Sequence, residues 1–205
     1  MLEAAAVVLA GGKSTRMGRD KALVRVTENR MLEGAVKALA PEFPEIIISA
    51  NGSYHNIPGT RVIPDTIPGR GPLGGIYSCL AESGHLVNFV AACDMPFIDA
   101  RLAAYLVSLI PGNDAVIPRI GEYYQPLFAV YTKKCLPAIE TSLKGGRNKI
   151  ISFYPNVRAR FVSPDEIRQF GDPDRIFFNV NTPGDLDRAQ KMALQVPQIK
   201  VPEEA

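Results

Sequence analysis

Two periods alternate along this chain. Residues 4–8 form a continuous apolar run, 86–92 are apolar apart from Asn88, and 45–51 are built on Ile46-Ile47-Ile48; all three have the length of buried strands, and residues 60–65 read as a further one. Between them, apolar positions fall at helical spacing. Met31, Leu32, Ala35, Val36 and Leu39 predict one amphipathic helix, ended by Pro41 and Pro44. Ile76, Leu80 and Ala81 predict a second. Leu102, Leu106, Leu109 and Ile110 predict a third, closed by Pro111 and Gly112. Residues 22–26 read as a short extended segment, and residues 67–75, rich in Gly and Pro, as a loop leading into the second helix. Strand–loop–helix alternation of this kind predicts an α/β fold, a mostly parallel sheet with helices on both faces.

The second half is less regular. Residues 114–118, 125–131 and 157–162 read as strands, and Leu136 to Leu143 as a helix broken by Gly145 and Gly146. Residues 148–154 read as a short helix and 177–181 as a last short strand. Thr182 can cap a final helix, with Pro183 at its first position and Asp185 three residues on. The expected domain is residues 1–194. The tail from residue 195, with Pro197, Pro202 and the acidic pair Glu203 and Glu204, is expected to be frayed.

Composition narrows the function classes. A chain of 205 residues with 46% hydrophobic content is enough for one sizeable core, so a single domain is expected. The formal charge of +2 and the lack of a basic tail disfavour nucleic acid as a partner. Cys79, Cys93 and Cys135 are odd in number and widely spaced, which disfavours a disulfide framework and favours a reducing cytoplasm. No basic segment precedes an apolar one at the start, so no signal peptide is expected, and no apolar run reaches membrane-spanning length.

The densest chemistry lies at residues 9–21, where the first apolar run ends in Leu9-Ala10-Gly11-Gly12-Lys13 and continues through Arg16 and Arg19 to Lys21. Adjacent glycines allow positive φ and close backbone approach to a ligand. Successive amides in such a loop attract anions, and four basic side chains add charge at the same edge. A nucleoside triphosphate is the ligand this suits. The spacing fits neither a P-loop, which needs a glycine six residues before its lysine, nor the G-x-G-x-x-G dinucleotide fingerprint.

The stretch instead resembles the signature L-A-G-G-x-S-x-R-M-G-x-D-K of nucleotidyltransferases with a Rossmann-like domain, and most closely that of the molybdenum cofactor guanylyltransferases. Further segments are similar to the same family. They are Asn51 in an S/N-A-N position, Asp65 ahead of Gly71-Pro72-Leu73-Gly74-Gly75, Cys93-Asp94-Met95-Pro96, and Asn179-Val180-Asn181-Thr182-Pro183. The resemblance spans residues 9–182. It implies that Leu9, Ala10, Gly11 and Gly12 contact the nucleotide, and that Lys21, with Arg16, neutralises phosphates. It also implies that Asn51 and Asp65 bind the nucleoside and that Asp94 holds Mg²⁺ while touching the nucleotide. Asn179, Asn181 and Arg147 are expected toward the pterin substrate. Taken alone, Asp94 reads equally as a metal ligand or a turn aspartate, Asp65 and Asn51 as turn residues, and Arg147 with Lys149 as a solvated basic turn.

A carboxylate at a strand end suits a Mg²⁺ ion that keeps waters and bridges phosphate oxygens. Asp65 can accept from two neighbouring N–H groups, a pattern that guanine offers. His55 and His85, both in expected loops, suggest no Ser-His-Asp or Cys-His pairing. That is compatible with transfer to a phosphate monoester, which is largely a dianion at neutral pH and needs no general base. The resemblance therefore implies a Rossmann-like nucleotidyltransferase domain. Its expected reaction moves GMP from GTP to molybdenum-bound molybdopterin and releases pyrophosphate, with molybdenum cofactor biosynthesis proteins and a receiving apoenzyme as protein partners. A cytidylyltransferase of the same pathway, a sugar-phosphate nucleotidyltransferase, and a non-catalytic nucleotide-binding partner remain the alternatives. The presence of both Lys21 and Asp94 disfavours the last, because a pure binder needs neither.

Overall fold

The computed structural model describes residues 1–11, 21–51 and 57–195. The strands are β1 (Ala4–Leu9), β2 (Glu45–Ser49), β3 (Thr60–Ile63), β4 (Val87–Ala92), β5 (Ala115–Ile120), β6 (Tyr123–Tyr124), β7 (Phe128–Thr132) and β8 (Ala159–Val162). The helices are α1 (Met31–Leu39), α2 (Pro72–Glu82), α3 (Ala100–Ser108), α4 (Leu136–Lys144), α5 (Pro164–Arg168), α6 (Pro173–Ile176) and α7 (Pro183–Leu194). One sheet runs in the order β3-β2-β1-β4-β7-β5-β6, with β8 paired to β5. β1 to β4 are mutually parallel, β7 runs antiparallel to both β4 and β5, and β8 is parallel to β5.

Strand β1 explains the layering. All six of its residues are buried, as a strand covered on both faces requires. Ala4, Ala6 and Val8 pack with Leu32 and Val36 of α1 and with Leu102 and Leu106 of α3. Ala5, Val7 and Leu9 pack with Leu73 and Ile76 of α2 and with Ile139 and Leu143 of α4. Helices thus cover both faces, as the sequence pattern predicts. The chain builds outward from β1 through β2 to β3, then returns to lay β4 on the other side of β1. That reversal opens a crevice at the carboxyl ends of β1 and β4, the usual ligand position in open α/β sheets.

Several sequence expectations are corrected. Residues 22–26 are not extended as a unit: Lys21–Leu23 forms a 3₁₀ turn and Arg25 makes a single bridge to Arg30. Helix α2 starts at Pro72, so Gly74 and Gly75 lie inside it rather than in the loop. Proline is well suited to a first helical position because its missing N–H has no partner there anyway. Residues 148–154 overlap a 3₁₀ segment, Ile150–Asn156, rather than an α-helix. Residues 177–181 form no strand: the Val180 N–H bonds a single carbonyl, that of Asp94 (2.9 Å), instead of joining a ladder. β6, α5 and α6 are additions to the sequence reading. Thr182 caps α7 as expected, its hydroxyl accepting from the Asp185 N–H while the Asp185 carboxylate accepts from the Thr182 N–H. Gly52, which follows the second expected strand, and the tail from residue 196 lie outside the described residues.

Candidate active site at the carboxyl ends of the central strands

Backbone bonds hold the rim of the crevice. The Ala10 N–H donates to the Ser49 carbonyl and the Cys93 N–H to the Leu9 carbonyl, both at 3.0 Å. The Ala92 N–H donates to the Leu127 carbonyl at 3.0 Å, tying the end of β4 to the turn before β7. Leu9 and Ala10 are therefore buried and fixed at the strand end, and Gly11 is the exposed residue that leads away from it. Gly12 and Arg16 lie outside the described residues, and Lys21 opens the 3₁₀ turn.

On the β3 side the structure brings Asn51 and Asp65 together. Three successive N–H groups of the turn after β3 are held by side chains. The Asp65 N–H donates to Asn51 Oδ1 (2.7 Å), the Thr66 N–H to Ser78 Oγ (2.9 Å), and the Ile67 N–H to Asp65 Oδ1 (2.9 Å). The Asn51 carbonyl oxygen is thus committed to placing Asp65. Asp65 is half-buried against the first turn of α2; a Cβ built on Gly74 would lie 2.9 Å from both of its carboxylate oxygens. Gly71, the residue before α2, has φ 63° and ψ −155°, a conformation that a side chain disfavours. One position further along α2, a Cβ on Gly75 would sit 2.6 Å from Ser49 Oγ and 3.5 Å from Leu9 Cδ2. Small residues let α2 approach the end of β1, just before Gly11.

On the β4 side, half-buried Asp94 follows Cys93 directly beyond the strand. The bond from Val180 to the Asp94 carbonyl brings the segment bearing Asn181 alongside it. Asn179 is half-buried, and its Nδ2 donates to the Phe177 carbonyl at 2.9 Å. Arg147 is exposed in the turn after α4 and belongs to the opposite face of the sheet from residues 177–181, so the structure does not gather Asn181 and Arg147 into one cluster. Topology nonetheless returns Arg147 to the crevice edge, because α4 runs back after antiparallel β7.

The donor set around Asp94 fits a Mg²⁺ ion. One carboxylate, with water and substrate phosphates completing the shell, is the usual way this ion is held at phosphate sites. Among the described residues no group of three His, Cys, Asp or Glu could form an all-protein cage. The buried thiols of Cys79 and Cys135 offer no nucleophile. Burial pushes Cys79, which is hydrogen-bonded to Ser49, up to about 12, and Cys135 likewise up to about 12.

With this geometry in place, comparison with known proteins is decisive. The family model for the MobA-like NTP transferase domain matches residues 6–158. The chain belongs to this family. It is 46% identical over 194 residues to a probable molybdenum cofactor guanylyltransferase of Pelotomaculum thermopropionicum, covering 94% of this chain and 95% of that one. A protein of the same description from Carboxydothermus hydrogenoformans is 31% identical, covering 90% and 94%. Among solved structures, molybdopterin-guanine dinucleotide biosynthesis protein A from Archaeoglobus fulgidus superposes with a TM-score of 0.82 at 26% identity, covering 94% of this chain and 100% of that one. The 2-C-methyl-D-erythritol 4-phosphate cytidylyltransferase of Thermus thermophilus, at TM-score 0.66 and 14% identity with 92% and 98% coverage, shares the fold.

Sequence reasoning missed Ser78, Ser49 and the close packing of Gly74 and Gly75. One signal was present: Ser78 stands four residues after Gly74, so a polar residue shares the strand-facing side of α2.

Proposed function

We propose that the protein transfers GMP from GTP to molybdenum-bound molybdopterin, forming the guanine dinucleotide cofactor and releasing pyrophosphate. The observation that carries this reading is the placement of two carboxylates, Asp65 after β3 and Asp94 after β4, on either side of the β1 strand end that opens into the glycine-rich loop. Names of relatives up to 46% identical support the same reaction.

Each residue has a defined task. Backbone groups of Leu9, Ala10, Gly11 and Gly12 receive the nucleotide. Asp65 accepts from N1–H and N2–H₂ of guanine. Asn51 fixes Asp65 through its carbonyl and offers its amide to the ribose or base. Lys21 and Arg16 neutralise phosphate charge. Asp94 would hold Mg²⁺, and the ion would supply positive charge against the negative charge that develops on the departing pyrophosphate. The acceptor phosphate is largely a dianion at neutral pH, so the site needs no general base; holding two anions in line accounts for the catalysis. Arg147 and Asn181 meet the pterin substrate from opposite faces of the sheet, while Asn179 supports the Asn181 segment.

Among the described residues no helix is long and apolar enough to cross a membrane, and we place the protein in the cytoplasm with its three thiols reduced. Its protein partners would be other molybdenum cofactor biosynthesis proteins and the apoenzyme that receives the product. The test supplies radiolabelled GTP, Mg²⁺ and molybdenum-bound molybdopterin. Label from the α-phosphate should enter the pterin product as pyrophosphate appears. Nucleotide binding with no pyrophosphate release would favour a non-catalytic delivery partner.

A further inference from the structure

Ser78 lies in the middle of α2, is fully buried, and touches no expected ligand position. Its hydroxyl nevertheless has a complete set of bonds directed at the Asp65 turn. Oγ accepts from the Thr66 N–H at 2.9 Å, lies 2.8 Å from Thr66 Oγ1, and donates to the Gly74 carbonyl at 3.1 Å. One hydroxyl therefore bonds the residue after Asp65 and the α2 residue against which the Asp65 carboxylate packs. Asn51 and the Asp65 side chain hold the N–H groups on either side. Removing Ser78 Oγ strands a part-buried N–H and a hydroxyl together, a change the turn relieves by moving.

We infer that Ser78 is a positioning residue for base selection: it sets the angle at which the Asp65 carboxylate meets the guanine edge. This rests on the reading of Asp65 as the guanine acceptor, and inosine separates the two ideas. ITP has the same triphosphate, ribose and N1–H as GTP but lacks the 2-amino group, so the ratio of ITP to GTP dissociation constants reports the second contact to Asp65. A general loss of packing would weaken both nucleotides alike and leave that ratio unchanged.

The experiment is titration calorimetry of GTP and ITP, each with Mg²⁺, against wild type, Ser78→Ala, Asp65→Asn and the double variant. Wild type should bind GTP about tenfold more tightly than ITP, as expected for a donor whose buried acceptor is otherwise unpaired. Asp65→Asn should bring the ratio to about one, and Ser78→Ala to about two or three, because the acceptor is retained but misplaced. The double variant should match Asp65→Asn, since a positioning residue has nothing left to position. If Ser78→Ala does not fold, Ser78→Cys avoids an empty site, with a slightly larger side chain, while replacing the oxygen acceptor with weaker sulfur, and should also lower the ratio. A ratio that Asp65→Asn lowers and the Ser78 variants leave at the wild-type value overturns the role given to Ser78. A wild-type ratio near one, or one unchanged in Asp65→Asn, overturns the reading of Asp65 itself and the inference with it.

Discussion

The two halves of the sheet are built with different materials. Around β1, β2 and β3 the contacts at the site end are small and polar: Ser49 against Gly75, Ser78 against Thr66, Gly74 against Asp65. Around β5, β7 and β8 they are aromatic. Tyr131 and Tyr154 share a hydrogen bond between their hydroxyls (2.9 Å), and the Tyr131 hydroxyl also lies 2.9 Å from the Pro126 carbonyl that accepts from it. Phe153 packs edge-on to both rings, and Tyr124 meets Tyr154 and Phe161. Burial raises both buried tyrosine hydroxyls well above their ordinary range, so they stay protonated and act as structural donors. A backbone that must come close to a nucleotide is served by small side chains. A region whose chain no longer alternates strand and helix is held by large rings and capped helix ends. Substitutions in the first region should therefore change affinity or turnover more than stability, and those in the second the reverse.

The largest expected effect is in the aromatic half. Phe153→Ala empties a fully buried site and should cost about 3–5 kcal/mol by denaturant unfolding. GTP affinity of the folded protein should stay within about twofold of wild type, well below the scale of that loss. A parallel loss of affinity would break the division between the halves. Next comes Asp94→Asn, expected to lower turnover by about 10²–10³-fold, the scale for losing one electrostatic contact to developing charge. Its melting temperature and circular dichroism should remain native, and activity near the wild-type level would remove Asp94 from the metal site.

Gly75→Ala should weaken GTP binding by about tenfold, because its new methyl group must displace Ser49, whose carbonyl anchors Ala10. Ser49→Ala in the same chain removes the clashing oxygen and should recover most of the affinity. No recovery would mean that the helix is displaced for another reason. The smallest effect returns to the second half. Glu166 closes the capping box of α5 and accepts from Ser163, Tyr105 and Arg160. The Ser163 N–H and these partners lower its carboxyl to about 2. A group depressed on folding adds stability above its unfolded pKa and loses it as pH falls. Glu166→Gln should therefore cost about 1 kcal/mol at neutral pH, and that difference should fade between about pH 4.5 and pH 2. A gap that stays constant across this range would show that the charge is not what caps the helix.

How far the sequence could be read follows the same division. The parallel half was legible because a strand buried on both faces must be largely apolar: β1 is apolar throughout, β4 apart from Asn88, and β2 has three successive isoleucines between Glu45 and Ser49. Three misreadings share a cause, in that local pattern lost to a tertiary contact. Residues 67–75 carry loop composition, yet Gly74 and Gly75 are helical because a helix must pack there without side chains. Residues 177–181 carry strand composition, yet their backbone serves the Asp94 loop. Residues 22–26 are apolar apart from Arg25, like a short extended segment, yet begin as a 3₁₀ turn. Of the candidate site, the motifs of Asp65, Asp94 and Asn51 mark positions that the structure puts just beyond strand ends. The task of Asn51 toward Asp65 was not, because a hydrogen bond across fourteen residues has no local signal. Short α5 and α6 were passed over because five and four residues are too few to show a helical period.

The central claim is that this site activates a guanine nucleotide, and relative kcat/KM for GTP, CTP and ATP in transfer to molybdenum-bound molybdopterin tests it most directly. In the proposed reading Asp65 would accept from adjacent donors that guanine has and that neither cytosine nor adenine presents. An unpaired buried polar group costs about 1–3 kcal/mol, so GTP should lead by roughly ten- to a hundredfold. A wild-type preference for CTP, or equal use of all three, would contradict the account.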